Sequence, residues 1–498
     1  NVANNRNGGA IYINQGTISL INCTFTNNLV SYGSATTLGG GAIHVANGAL
    51  DMSGCMFKDN CVAGVIGEPA QTINGAAIYG TTNAVLNIRN STFTHNGIAN
   101  RRVAGSVNIY GGAIYLNGVS TATITGSNFS DNGNGGNAYI TGGAIYNIGS
   151  TLNIADSNFV DNVARGTNKF GGALYSTGAL NIMDSNFVNN NATLYGGAIY
   201  ATNIVNVTGS NFTDNFATSS GGALYTTNSL ELHDSIFSKN TIGTGMGGAI
   251  YGNNIISYGT AFSDNVASSN GGAIYGNSLM ASESTFNNNA ANVGGAVYMN
   301  TRVNITDSAF NDNVASSNGG AIFGPTSSTV SVSGSNFTNN TAISGGAIYG
   351  ASNSNVKISN SNFNKNIAIT NGGAVYGDMT NSSSVSKSNF TDNVANIGAA
   401  IYETNNINVN ESIFINNTLS TIYMGSGHID KSEFTSTDIP MVYVTKGLSI
   451  NETTFNGDGP SKKYISGFFY SGELVDLQTL IDNAIARHET LYLNGSYY

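Results

Sequence analysis

The side chains able to do chemistry are few and scattered: of 498 residues, 27 are Asp or Glu, 17 Lys or Arg, five His and three Cys. His44, His95, His233, His428 and His488 share no spacing that would seat two imidazoles on one metal, and no nucleophile elbow or phosphate loop occurs. One acidic pattern recurs, an Asp two residues after a repeated Phe, at Asp59, Asp131, Asp161, Asp214, Asp264, Asp312 and Asp392. Only Asp131 and Asp161 belong to consecutive repeats. The others are interrupted by Asn, Lys or His, so a solvated corner that prefers Asp or Asn is set against a calcium or acid–base site. We expect the corner, and with it no catalytic residue, no metal and no cofactor.

The cysteines leave two readings. Cys23 and Cys55 both stand two residues before the repeated Phe, which places them one above the other at about 4.8–5 Å, a separation that permits a disulfide. Other repeats carry Ser or Thr there, which favours a small packed corner and two buried thiols, with Cys61 an isolated third. Tyrosine is patterned too. Tyr12, Tyr79, Tyr115, Tyr146, Tyr175, Tyr200, Tyr225, Tyr251, Tyr275, Tyr298, Tyr349, Tyr376 and Tyr402, with Phe323 as one substitute, each follow a fixed aliphatic position. Strand alternation turns them outward. They could then bind sugar rings or a neighbouring copy of the chain, or form a self-stabilising aromatic ladder or a partly buried corner.

The elements that position these residues are repeats. Gly-Gly-Ala-Ile-Tyr or a close variant starts at Gly8, Gly40, Gly75, Gly111, Gly142, Gly171, Gly196, Gly221, Gly247, Gly271, Gly294, Gly319, Gly345, Gly372 and Gly398. Between these copies lies Phe-x-x-Asn, from Phe25–Asn28 to Phe414–Asn417, with two degenerate copies at Phe434 and Phe455. That makes seventeen units at a mean spacing of about 27 residues. In Ala179-Leu180-Asn181-Ile182-Met183-Asp184-Ser185-Asn186-Phe187, Leu180 and Ile182 alternate with polar residues at period two, which is strand and not helix. Short strands between Gly, Asn, Ser and Asp corners describe an all-β, right-handed parallel β-helix of about seventeen coils. At about 4.8 Å per coil it would be a rod on the order of 80 Å long. The Phe and the aliphatic position stack inside, and the Asn three residues after Phe forms an interior amide ladder.

Composition narrows the partners. Charged residues make up 9% of the chain and the net charge is −10, so there is no phosphate-neutralising surface and nucleic acid is excluded. With 40% apolar residues the chain is not disordered by composition. No apolar run reaches the roughly 20 residues of a membrane span, so no membrane insertion is expected within this segment. The chain opens at Asn1, and a leader or anchor is expected to have been removed or to lie in a longer protein.

The paired Gly-Gly-Ala-[Ile/Leu/Val] and Phe-x-x-Asn motifs, over residues 8 to about 457, resemble the repeats of the chlamydial polymorphic outer-membrane proteins. The density of Asn, Ser and Tyr is similar to adhesin-like surface proteins of methanogenic archaea. This resemblance implies a surface-anchored, extracellular protein that binds another cell's glycans or proteins and catalyses nothing, with a carbohydrate-active β-helix enzyme as the alternative. We divide the chain into β-helix repeats at 1–460 and, at 461–498, a C-terminal cap or the start of a following module. Within the latter, 474–486 reads as an amphipathic helix, similar to the capping helices of the archaeal proteins.

Two sets of surface residues follow. Asn128, Asn211, Asn336 and Asn389 head Asn-Phe-[Ser/Thr] sequons whose Asn and hydroxyl should face solvent. Between the Phe-x-x-Asn asparagine and the next Gly motif the chain runs 11, 14, 14, 9 and 8 residues over 29–39, 61–74, 97–110, 133–141 and 163–170, then 4 to 6 in every later coil. These insertions share one corner and should stack into a ridge. Its Tyr32, Arg101, Arg102, Tyr110, Tyr139, Arg165 and Lys169 make a candidate surface for a glycan or acidic partner, against the alternative that corners are cheap to lengthen. If the ridge is made only of loops, trimming it should shift melting by no more than a few degrees.

Overall fold

The computed structural model describes residues 2–4, 7–31, 37–63, 71–97, 107–133, 138–378, 383–438, 440–457 and 464–467. The expected helix at 474–486, and all but four residues of the 461–498 segment, lie outside that range. By internal contacts the chain falls into two compact units. Unit 1 is Asn1–Ile256 with Thr260–Ser268, and unit 2 is Ser257–Gly259 with Ser269–Tyr498.

Each unit is a stack of parallel β-coils. In unit 1 the Phe residues pair in register from coil to coil, Phe93 with Phe129 and Phe129 with Phe159, and unit 2 repeats this with Phe337 and Phe363. The Gly-motif aliphatics do the same, Ile78 with Ile114 and Ile348 with Val375. Strands are short because from Phe25 to Phe414 each Phe strand is bracketed by two left-handed residues, one three before Phe and one two after it. Asp156 (φ 49°) and Asp161 (φ 56°) flank Phe159, and Asp184 (φ 46°) and Asn189 (φ 53°) flank Phe187. Asn, Asp and Gly tolerate this region best, which accounts for much of the Asn and Gly enrichment.

The interior is columnar. Phe rings lie face to face at centroid separations of 4.6–4.8 Å from Phe57 through Phe237. Phe93, Phe129, Phe187, Phe212 and Phe337 are fully buried, and the degenerate copies Phe434 and Phe455 extend the column in unit 2. The Asn column is also interior, and it makes more bonds than a simple ladder. Nδ2 of Asn132 donates to Oδ1 of Asn162 at 3.0 Å and to the Phe93 carbonyl at 2.9 Å, and the Asn132 backbone N–H donates to the same Oδ1 at 3.1 Å. Every polar atom of the amide is thereby paired, which is what makes its burial tolerable. Two residues before Phe, each Ser donates to a carbonyl of its own coil and accepts the preceding coil's serine N–H in series, as Ser185 does with Met183 and Ser157.

In the Gly motif the second glycine is favoured by close approach. A Cβ at Gly172 would lie 2.0 Å from the Gly197 carbonyl oxygen of the next coil. Two coils accommodate Ala there, Ala76 and Ala399, both fully buried.

Candidate functional site

The acidic column is a conformational one. Asp59, Asp131, Asp161, Asp214, Asp264, Asp312 and Asp392 all have φ of 52–57°, and Asn27, His95, Lys239 and Lys365 take the same place with φ of 52–54°. The carboxylates bond to neighbours of the same column: Asp161 accepts from Asn189 Nδ2 at 2.5 Å, and Asp312 accepts from Asn339 Nδ2 at 3.2 Å. Among the described residues no three His, Cys, Asp or Glu side chains are grouped so as to hold a metal.

The thiols follow the serine pattern. All three cysteines are unbridged. Cys23 Sγ donates to the Ile21 carbonyl at 3.4 Å and Cys55 Sγ to the Ser53 carbonyl at 3.5 Å, the same two-residue reach that each Ser hydroxyl makes. Burial pushes the Cys55 thiol up from its usual pKa. Cys55 is buried, whereas Cys23 is only half-buried, so the expectation of two buried thiols holds for one of them.

The tyrosines form the self-stabilising ladder. In unit 1, Tyr146, Tyr175, Tyr200, Tyr225 and Tyr251 stack with centroids 4.5–5.1 Å apart and planes within 9°. In unit 2, Tyr349, Tyr376, Tyr402, Tyr423 and Tyr443 do so at 4.3–5.2 Å. A sugar stacks on a ring face, and here each face is occupied by the next ring, leaving edges and hydroxyls to solvent. Unit 1 also has an outer row that the repeat pattern does not disclose. Tyr110 lies 4.8 Å from Tyr146, Phe170 4.8 Å from Tyr200, and Tyr195 4.7 Å from Tyr225. Tyr115 and Tyr146 consequently retain only 8% and 9% exposure although alternation turns them outward. The outer residues sit just before the Gly motif in segments of uneven length, and their one signal is an aromatic residue immediately preceding Gly-Gly.

Among the described residues the insertions do converge, and each of the first four ends in sheet. Thr37–Gly39, Gln71–Asn74, Val107–Tyr110 and Tyr139–Thr141 pair in parallel as a four-stranded sheet of their own. Its inner face holds a separate apolar cluster of Leu38, Ile73, Ile109 and Ile140 with Val30 and Ala138, all 0–5% exposed. Asn108 and Tyr139 are paired, as are Tyr110 and Thr141, so Tyr110 and Tyr139 share the outer face. The 163–170 insertion wraps on this face: the Ile140 N–H donates to the Arg165 carbonyl at 2.6 Å and Lys169 Nζ stands 5.4 Å from the centre of the Tyr139 ring. Burial lowers the Lys169 pKa. Gly166, at φ 110°, brings backbone onto the ring where a Cβ would lie 2.4 Å from Tyr139 Cδ1. The structure therefore unites Tyr110, Tyr139, Arg165 and Lys169, with the Arg165 side chain exposed. Tyr32, Arg101 and Arg102 lie outside the described residues.

The four sequon asparagines stand on Phe strands with the Phe inward. Asn128, Asn336 and Asn389 are exposed and Asn211 is half-buried.

With the coils and ridge in place, comparison with known families supports the repeat assignment. The family model described as the Chlamydia polymorphic membrane protein repeat matches residues 184–202, 209–227, 259–277 and 307–325. Each matched segment contains a complete Phe-x-x-Asn and the Gly-Gly-Ala that follows it. No curated protein matches the chain.

Proposed function

We propose that this chain is a non-catalytic, surface-displayed recognition β-helix, and that the outer face of the ridge sheet binds a glycan or an acidic protein of another cell. The observation that carries this reading is the ridge itself. Four insertions of unlike sequence each end in a strand of one packed sheet, which sets Tyr110 and Tyr139 on a common face with Lys169 against the Tyr139 ring, and this packing supports a built surface over a merely tolerated one. A basic, aromatic face on a chain of net charge −10 suits an anionic or hydroxyl-rich partner. The family match supports display at a cell surface, which is where the extracellular assignment comes from. No helix among the described residues is long and apolar enough to cross a membrane, a statement that does not extend to β-barrels.

Retention on glycan arrays, on whole cells and on immobilised copies of the chain tests the reading. Tyr139→Ala and Lys169→Ala should each lower retention about tenfold or more, a loss typical of a central anchor residue, while the purified chain still melts cooperatively. Retention unchanged in both variants would move recognition off the ridge. Release of reducing ends or unsaturated sugars from a retained polysaccharide would make the protein an enzyme instead.

A further inference from the structure

Asparagines one residue before Phe form a second, exposed ladder. In unit 1, Nδ2 of Asn158 donates to Oδ1 of Asn128 at 2.8 Å, Asn186 to Asn158 at 2.8 Å, and Asn211 to Asn186 at 2.9 Å. In unit 2, Asn362 donates to Asn336 at 2.8 Å and Asn389 to Asn362 at 2.9 Å. The donors all point toward the preceding coil, and each ladder starts where that coil lacks Asn, since Thr92 pairs with Asn128 and Ala309 with Asn336. Among the described residues Nδ2 of Asn128 and of Asn336 thus donates to no neighbour, whereas Nδ2 of Asn211 and of Asn389 is a ladder donor. Asn336-Phe337-Thr338 and Asn389-Phe390-Thr391 are the same tripeptide at the same strand position, and both asparagines are exposed. They differ at the acceptor atom in this one bond.

We propose that Asn128 and Asn336 are the sequons at which the folded chain accepts an N-linked glycan, and that the ladder holds Asn211 and Asn389 back. In transfer from a polyprenyl-diphosphate-linked oligosaccharide, Nδ2 attacks the sugar C1. The C1–O bond to the diphosphate breaks, its electron pair leaves with the phosphate, and Nδ2 gives up one proton to a base of the transferase. An amide nitrogen is a poor nucleophile because its lone pair is delocalised into the carbonyl, so it must turn out of plane to react. At Asn389 turning the nitrogen about the Cγ–Nδ2 bond breaks its bond to Asn362, whereas at Asn336 the ladder bond is to Oδ1, which that turn leaves in place. A net hydrogen bond of ordinary strength corresponds to roughly a five- to tenfold difference in rate.

The test is in vitro transfer to the folded protein by an oligosaccharyltransferase, with site occupancy read by mass spectrometry. Synthetic peptides spanning 332–342 and 385–395 serve as unfolded acceptors. The peptides should be modified at rates within about twofold of each other, whereas in the folded chain Asn336 should exceed Asn389 about five- to tenfold. Two variants whose coils are confirmed by circular dichroism should each bring the two sites to about equal occupancy, and combined they should reverse the order: Asn362→Ala releases Asn389, and Ala309→Asn supplies Asn336 with a partner. Equal occupancy of the two sites in the folded chain, peptide rates as unequal as those of the folded chain, variants that leave the ratio unmoved, or a folded chain modified at neither site would overturn the proposal.

Discussion

The interior amide is the residue on which each coil depends most heavily, because it bonds to several neighbouring groups at once in a dry column. In unit 1, Oδ1 of Asn215 accepts from both the backbone N–H and Nδ2 of Asn190, and Nδ2 of Asn215 donates to the Phe187 carbonyl. Asn215→Ala would orphan all three groups in a dry column, and at about 1–3 kcal/mol for each unsatisfied group the coil should lose on the order of 4 kcal/mol. Hydrogen exchange should show the loss over residues 187–240 first, and uniform loss along the unit would contradict it. His44 gives a pH signature. It replaces Tyr in the ring column, lies parallel to Tyr79 at 4.6 Å and edge-on to Tyr12 at 5.1 Å, and is 5% exposed with neither ring nitrogen hydrogen-bonded. Burial pulls its pKa down from 6.5 to about 4. Between those two values the unfolded chain binds the proton and the native chain does not, so stability falls as pH drops through that window, by about 3 kcal/mol in full. Substituting Tyr, the column's own residue, should remove this dependence. Parallel melting curves of His44→Tyr and the parent from pH 7 to 4 would show that His44 does not carry it.

At the scale of an element, the stacked columns behave collectively. Burial raises the pKa of Tyr115 to about 12 and raises those of Tyr146, Tyr175, Tyr200 and Tyr225 as well, with neighbouring phenols adding to the effect for Tyr146 and Tyr225. A phenol whose native pKa lies above the unfolded value of 10 stabilises the fold below pH 10, and that contribution is lost as pH rises through the native value. Tyrosinate absorbance should lag that of a model phenol and then rise steeply together with loss of β circular dichroism. A smooth titration centred near pH 10 with the fold intact would exclude such coupling. The left-handed corner three residues before Phe is an element with its own rule. Asp184 Oδ1 lies 2.2 Å from where Gly209 would carry Cβ, and Asn22–Gly54, Asn90–Gly126 and Asp307–Gly334 repeat the arrangement at 2.1–2.4 Å. Gly209→Ala combines this clash with a strained φ of 59° and should destabilise by about 2 kcal/mol. Adding Asp184→Gly should recover part of that. No recovery in the double variant would leave φ strain as the whole cause.

For the molecule as a whole, the ridge changes what truncation would do. Were it only loop, shortening the insertions would leave melting nearly unchanged, but Leu38, Ile73, Ile109 and Ile140 form a buried cluster of their own. Ile109→Ala alone should destabilise by about 2–5 kcal/mol. Because a solenoid coil contacts only its neighbours, the loss of hydrogen-exchange protection should concentrate in coils between residues 29 and 141 and spare unit 2. Protection lost equally throughout would refute that locality. Retention by the ridge should fall in the same variant, since Tyr110 and Tyr139 are held by the sheet that Ile109 anchors.

What the amino-acid order determined is whatever repeats in register. Phe25 to Phe455, the aliphatic of each Gly motif and the interior Asn recur at fixed offsets because parallel stacking sets every column the same packing problem once per coil. Coil number, strand period and buried columns were therefore legible. What only tertiary structure decided is whatever depends on the neighbouring coil or lacks a period. The acids two residues after Phe already read as a solvated corner, since Asn, His and Lys interrupt them, but that the corner is left-handed is seen only in their φ of 52–57°. Strand alternation turns Tyr115 and Tyr146 outward, yet Tyr110 and the stacked rings cover them. The ridge strands differ in length and sequence, so no offset announces them, and they become a sheet because the coils beneath hold them at strand spacing. Asn336 and Asn389 are identical in sequence, and what separates them is Ala309 or Asn362 in the coil before.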